Sequence, residues 1–168
     1  HKPQMPQGSQ RSFEPRQPRE QIYCDLVPMP ISNNTKDCQI FIIADAFSGF
    51  LHLYPLTDKN PETVLTAYKE YTKHFGNPMV FSSDQESGFL GVMRDYCLIN
   101  NTFLHTSYAH CQYENFCEVS VNIFKKSLRN LRTDPECRKF SFEDWADHLA
   151  DVQACINKLP YRKWKWSR

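Results

Sequence analysis

The sequence has no long apolar run, no strong net charge and no paired-cysteine motif. A membrane-spanning helix needs roughly 20 consecutive apolar residues, and because no stretch approaches that length we expect no membrane segment. Twenty basic and 19 acidic side chains leave a formal net charge of +1, so no overall basic field attracts nucleic acid. Any such binding must come from local patches or from other domains. No Ser-His-Asp or Cys-His arrangement points to a covalent intermediate.

The seven cysteines also lack a recognisable pattern, since none stands in C-x-x-C spacing. The first residues, His-Lys-Pro-Gln-Met-Pro, are polar and proline-rich and do not resemble a secretory signal. We therefore expect reduced thiols and a chain that is not secreted. His105, His110, Cys111 and Cys117 are close in sequence, but their spacing fits no common zinc finger.

Composition divides the 168 residues into three parts. Residues 1–20 are rich in proline and glutamine and are interpreted as an extended linker. Residues 21–158 are predicted to form one compact domain, for which a 40% hydrophobic content is sufficient. Residues 159–168 combine basic and aromatic side chains without an acid, which is typical either of a nucleic-acid-binding tail or of a linker whose tryptophans pack on the core.

Hydrophobic periodicity predicts the element order βββαβαβαα for the domain, an α/β fold. The first helix has clear boundaries, because Asn60 is a suitable cap, Pro61 suits the first turn and Gly76 ends it. Strands are predicted over about 21–28, 39–45, 50–56, 79–81 and 102–106, and helices over about 60–75, 88–99, 116–131 and 142–158.

Three carboxylates stand in contexts that can deliver them to one point. Asp25 ends an apolar run, Asp84 follows a short apolar strand, and Glu118 begins a stretch with a helical apolar stripe. Most carboxylates are merely solvated surface charges. Asp25, however, lies among apolar residues, where an uncompensated charge is costly. Two strand-borne aspartates and a helix-borne glutamate can hold two hard divalent cations, and such a pair can clamp both oxygens of an in-line phosphoryl transfer.

The same residues lie within motifs that resemble the catalytic core of retroviral and LTR-retrotransposon integrases, over about residues 18–157. The motifs appear in the order of that family. They are the first-strand aspartate in Gln21-Ile22-Tyr23-Cys24-Asp25, the strand and D-x-F-S-R/G turn of 41–50, the F-G-x-P segment of 74–78 followed by Ser82-Ser83-Asp84, Ser107-Tyr108, and the glutamate stretch of 118–126.

The resemblance implies an RNase H-like fold with a five-stranded mixed sheet flanked by helices. It also implies catalysis by Asp25, Asp84 and Glu118, holding two Mg²⁺ or Mn²⁺ ions, on DNA as the substrate. The expected location is the nucleus or cytoplasm of a host cell, or a virus-like particle, and the expected state is a homodimer or higher oligomer. Expected DNA contacts come from the loop after the fifth strand and from the glutamate helix: Tyr108, Asn115, Asn122, Lys125 and Lys126.

Three departures from the family pattern keep alternatives open. Glu118 follows Asp84 by 34 positions, slightly under the usual D,D-35-E separation. Glu86 stands where the family usually has glycine, and residues 109–117 lack the H-P-Q-x-N-G pattern, which leaves Glu114 as a rival to Glu118.

Asp45 matches an acidic family position and is interpreted as a structural residue of its turn. The alternatives to an active integrase core are a catalytically degenerate binding module and another RNase H-like nuclease or transposase.

Overall fold

The computed structural model of the chain describes residues 15–85, 87–107, 122–124, 126–130 and 142–158. Its centre is one five-stranded sheet in the spatial order β3-β2-β1-β4-β5. Strands β1 to β3 are antiparallel neighbours, whereas β4 is parallel to β1 and β5 is parallel to β4. The expected mixed sheet is therefore confirmed. The strands are β1 Gln21–Pro28, β2 Gln39–Asp45, β3 Leu51–Leu56, β4 Val80–Asp84 and β5 Phe103–Ser107.

Helices flank this sheet, and two predicted boundaries were wrong. Strand β4 continues to Asp84 instead of ending at residue 81, because its last residues pair with β5. The single helix predicted over 142–158 is a 3-10 helix followed by an α-helix, and Asp144 departs from helical geometry with φ −114° and ψ 28°. There the Glu143 carbonyl accepts the Asn33 N–H at 2.8 Å, which competes with intrahelical bonding. The helices are α1 Pro61–Phe75, α2 Leu90–Ile99, α3 at 122–124 and 126–130, the 3-10 helix Phe142–His148, and α4 Leu149–Lys158.

Both faces of the sheet are covered, so alternate residues of a strand enter different cores. Ile22 and Cys24 of β1 lie in the core formed with α1 and α2. Val27 lies in the opposite core, where Phe124 of α3 and Trp145 are fully buried. The odd-numbered residues of β1 therefore face α3 and α4.

The outer edge of β3 is closed by side chains of α4. Asn157 accepts the Leu51 N–H through Oδ1 and donates through Nδ2 to the Leu51 carbonyl, both at 2.8 Å. Gln153 Oε1 accepts the Leu53 N–H at 2.8 Å. Pro55, the next residue on this edge, has no N–H to offer. Because the N–H groups of Leu51 and Leu53 already have partners, this edge of β3 is not available for pairing with another strand.

An aromatic cluster lies beside the β2–β3 turn. The His52 ring is 5.1 Å from Phe50, 5.1 Å from Tyr71 and 4.5 Å from Phe75, measured between ring centroids. Burial disfavours the charged imidazole and lowers the pKa of His52 from 6.5 to about 4, although the Asp45 charge acts in the opposite direction. His52 is therefore neutral in the native state at neutral pH.

We predict that Asn157→Ala lowers the free energy of unfolding by about 1–3 kcal/mol, because the N–H and C=O of buried Leu51 lose their partners. Urea denaturation measures the change. Cys155→Ala, an exposed change in the same helix, serves as the control and should cost less than about 0.5 kcal/mol. Equal stability of the two variants would show that the side chain of Asn157 does not secure the β3 edge.

The depressed pKa of His52 predicts a loss of stability in mild acid. Between pH 6.5 and about 4 the unfolded chain binds a proton at His52 that the native protein does not, so stability falls as the pH drops through this window. His52→Phe removes the titrating group. The decrease in urea midpoint between pH 7 and pH 5 should therefore be smaller in this variant than in the parent. An equal decrease in both proteins would contradict the assignment.

Candidate active site

The pairing of β1 with β4 brings two aspartates together. Tyr23 is the register partner of Ser82 in this parallel pair. Two residues further along each strand, the same register places Asp25 opposite Asp84. Neighbouring strands lie about 4.8 Å apart, and residues an even number of positions apart share a face. The two carboxylates therefore stand side by side on adjacent strands, Asp84 as the last residue of β4.

Both carboxylates lie on the sheet face that carries α3. Asp25 is two residues before Val27, which packs in the core with Phe124 and Leu128 of α3. Asp84 lies on the same face, because Tyr23 of β1 reaches it across the strand pair. Asp25 and Asp84 are each only partly buried. Both carboxylates are therefore in partial contact with solvent.

The position of Asp84 is fixed by several hydrogen bonds. Tyr23 Oη donates to Asp84 Oδ1 at 3.1 Å, and the Ser87 N–H donates to the Asp84 carbonyl at 3.2 Å. The turn after the strand is held by a 2.8 Å hydrogen bond between the hydroxyls of Ser83 and Ser87. Asp25 Oδ1 accepts the N–H of Leu26 at 2.8 Å. One oxygen of each carboxylate is thus oriented by the protein.

The donor set suits a hard divalent cation. Two carboxylates supply the oxygen ligands that Mg²⁺ and Mn²⁺ prefer, and Mg²⁺ sites commonly use one or two carboxylates together with substrate phosphates. Within the described ranges no group of three or more His, Cys, Asp or Glu side chains is close enough to hold a metal ion. The site built from described residues is therefore a carboxylate pair, Asp25 and Asp84.

The other predicted site residues fall into two groups. Glu118, its rival Glu114, and Tyr108, Asn115 and Lys125 lie outside the described residues. Asn122 and Lys126 belong to α3 and are exposed. Because they are four positions apart on a helix, these two side chains share one face. The predicted DNA contacts of α3 are thus accessible in the part of the helix that the structure describes.

Asp45 has the structural role that its sequence context predicts. Its carboxylate accepts the Phe47 N–H at 2.9 Å and the Ser48 hydroxyl at 2.8 Å, and its own N–H donates to the Phe50 carbonyl. Gly49 completes the turn with φ 73°, a left-handed conformation that glycine adopts without strain. Asp45 thus holds the β2–β3 turn.

Two neighbours of Asp25 differ in what they contribute. Cys24 is fully buried on the opposite face, and burial, followed by nearby Cys97 and Asp25, raises the pKa of its thiol. Cys24 therefore stays protonated and packs in the core on the side of the sheet away from Asp25 and Asp84. Tyr23, on the same face as Asp25, was missed by the sequence analysis as a site residue. Its position two residues before Asp25 on a strand was the available signal.

Comparison with known proteins gives a consistent result. Residues 15–120 match the family described as integrase core domain. The HTLV-2 integrase catalytic core domain in complex with magnesium, in a trimeric form, has a TM-score of 0.64 at 16% identity, over 88% of this chain and 90% of that chain. The BIV integrase catalytic core domain has a TM-score of 0.65 at 13% identity, over 86% and 87%.

A larger assembly contains a similar fold. The simian T-cell lymphotropic virus intasome in complex with the PP2A regulatory subunit B56 gamma has a TM-score of 0.64 at 16% identity, and the match spans 88% of this chain and 51% of that one. A search of curated proteins found no match. Among the described residues, none of the helices has the length and apolar character needed to cross a membrane.

Proposed function

The chain belongs to the integrase core domain family, and on that basis we propose that it is a metal-dependent polynucleotidyl transferase acting on DNA. The reactions are removal of nucleotides from the 3′ ends of element DNA and transfer of those ends into target DNA. The observation that carries the proposal is the parallel pairing of β1 with β4, whose register, continued two residues beyond Tyr23 and Ser82, aligns Asp25 with Asp84. Both residues, and Glu118, lie within the range that matches the family.

Asp25 and Asp84 would hold two Mg²⁺ or Mn²⁺ ions, and Glu118 would complete the second ion's ligands. Bound there, such ions supply electrostatic stabilisation of the attacking and leaving oxygens in an in-line phosphoryl transfer. The nucleophile is water in end processing and a DNA 3′-hydroxyl in strand transfer. The parallel strands pre-organise the two aspartates, so little conformational freedom is lost when the site is filled.

DNA would be positioned by polar and basic residues other than the carboxylates. Asn122 and Lys126 present polar and cationic groups on the exposed face of α3, and such side chains contact phosphates without reading sequence. We assign the same role to Lys125, Tyr108 and Asn115. Since the net charge of the whole chain is only +1, local contacts of this kind, or other domains, must supply the attraction.

We also propose that the protein acts as an oligomer within a nucleoprotein complex. The HTLV-2 integrase core is described in dimeric and trimeric forms, and the simian T-cell lymphotropic virus protein as part of an intasome. A protein with this activity would be located in the nucleus or cytoplasm of a host cell, or in a virus-like particle.

The second candidate function is a catalytically degenerate module that binds partners. Two sequence observations favour it: Glu86 occupies the glycine position of the family motif after Asp84, and residues 109–117 lack the H-P-Q-x-N-G pattern. The intact set of Asp25, Asp84 and Glu118 argues for activity instead.

We predict that Mg²⁺ or Mn²⁺ raises the melting temperature of the parent protein, because an ion that binds only the folded state stabilises it by about 2.7 kcal/mol at 100 times its Kd. Asp25→Asn and Asp84→Asn should abolish this increase, and Glu118→Gln should reduce it. Without metal the aspartate variants should be at least as stable as the parent, since they relieve repulsion between like charges. Differential scanning fluorimetry measures these shifts, with exposed Asp95→Asn as the control.

Asp25→Asn, Asp84→Asn and Glu118→Gln should also lower the rate of strand transfer on an oligonucleotide substrate. The decrease should exceed the roughly 10–100-fold that is typical when a residue contacting a metal ligand, but not the metal, is replaced. Asp95→Asn should retain both activity and metal response. A metal response without activity in the parent would favour the degenerate module, whereas the absence of both would contradict the proposed site.

A further inference from the structure

A tyrosine hydroxyl lies in direct contact with one of the two aspartates. Tyr23 is 8% exposed, and its Oη donates a hydrogen bond to Asp84 Oδ1 at 3.1 Å. The two residues come from different strands and are not register partners, because Tyr23 pairs with Ser82. The tyrosine side chain therefore leans forward along the sheet, toward the end at which Asp25 and Asp84 meet.

The contact belongs to a diagonal series between β1 and β4. Gln21 Nε2 donates to Ser82 Oγ at 3.1 Å, and Ser82 likewise lies two positions beyond the register partner of Gln21. Gln21 and Ser82 are both buried, so their hydrogen bond joins β1 to β4 near the first residue of β1. Tyr23 makes the same kind of diagonal contact two residues further along β1, with Asp84 in place of Ser82. Its ring is held by burial, so its hydroxyl occupies a fixed point.

We propose that Tyr23 is the positioning residue for Asp84, setting the orientation in which this carboxylate presents its second oxygen to a divalent cation. Asp84 Oδ1 is engaged by Tyr23, while Oδ2 accepts no hydrogen bond from any residue in the described ranges. A hydrogen bond to one oxygen restricts rotation of the carboxylate and leaves the second oxygen for the cation. This role rests on the proposed function, because it assumes that Asp84 is a metal ligand.

Tyr23→Phe tests the role, since it removes only the hydroxyl. We expect the Kd for Mn²⁺, measured by isothermal titration calorimetry without DNA, to rise by about tenfold, the lower end of the range for outer-sphere partners of metal ligands. Tyr68→Phe is the matched control. Its hydroxyl is buried on the opposite face of the sheet and has no hydrogen-bond partner among the described residues. Its Kd should equal that of the parent.

A purely structural role for Tyr23 predicts another result, a lower melting temperature without metal and a Kd within twofold of the parent. That result would overturn the proposal. A metal-free crystal structure of Tyr23→Phe gives a second readout, in which we expect the Asp84 side chain to leave its parental rotamer. A single, unchanged Asp84 rotamer would overturn the positioning role.

The two readouts separate this inference from the proposed function. If the parent binds no Mn²⁺, the metal site itself is contradicted, and the Asp84 rotamer in the metal-free variant still decides whether Tyr23 orients that carboxylate. If the parent binds Mn²⁺ and Tyr23→Phe binds equally well, the site stands and only the role of Tyr23 is lost.

Discussion

The parallel pairing of β1 with β4 is the constraint on which the rest of the structure depends. β1 is the central strand of the sheet, and its other neighbour, β2, is antiparallel to it. Because β4 pairs in parallel, the chain must cross over through α1 before β4 can form, and the two strands then end at the same edge. The register of this pair places Asp25 opposite Asp84. A slip of one residue would send Asp84 to the other face and separate the carboxylates.

The same pairing explains how two acids are tolerated beside a core. Moving a charge into an apolar interior is costly unless it is paired or hydrogen-bonded. Asp25 and Asp84 avoid most of that cost because both side chains remain partly exposed. Hydrogen bonds from Leu26 N–H and Tyr23 Oη satisfy one oxygen of each. The two neighbouring negative charges repel each other, and a divalent cation would relieve this repulsion.

Much of this arrangement could be predicted from sequence because it follows from local patterns. Alternating apolar residues identified β1 and β2, and Asn60, Pro61 and Gly76 marked the ends of α1. The side-chain contacts that join distant segments carry no such pattern. Asn157 closing the edge of β3, and Trp145 donating to the Pro30 carbonyl, link positions 106 and 115 residues apart. The departure of Asp144 from helical geometry has the same origin, since the neighbouring Glu143 carbonyl accepts a hydrogen bond from Asn33 in the β1–β2 loop.

The most direct test of the account is the location of a bound ion. Crystals of the protein soaked with Mn²⁺ and measured near the manganese absorption edge would show the metal by anomalous scattering. We expect a peak contacted by the carboxylates of both Asp25 and Asp84. Anomalous peaks found only at other carboxylates would contradict the proposed metal site. The absence of any peak, at a Mn²⁺ concentration that saturates a typical Mg²⁺ enzyme, would contradict it as well.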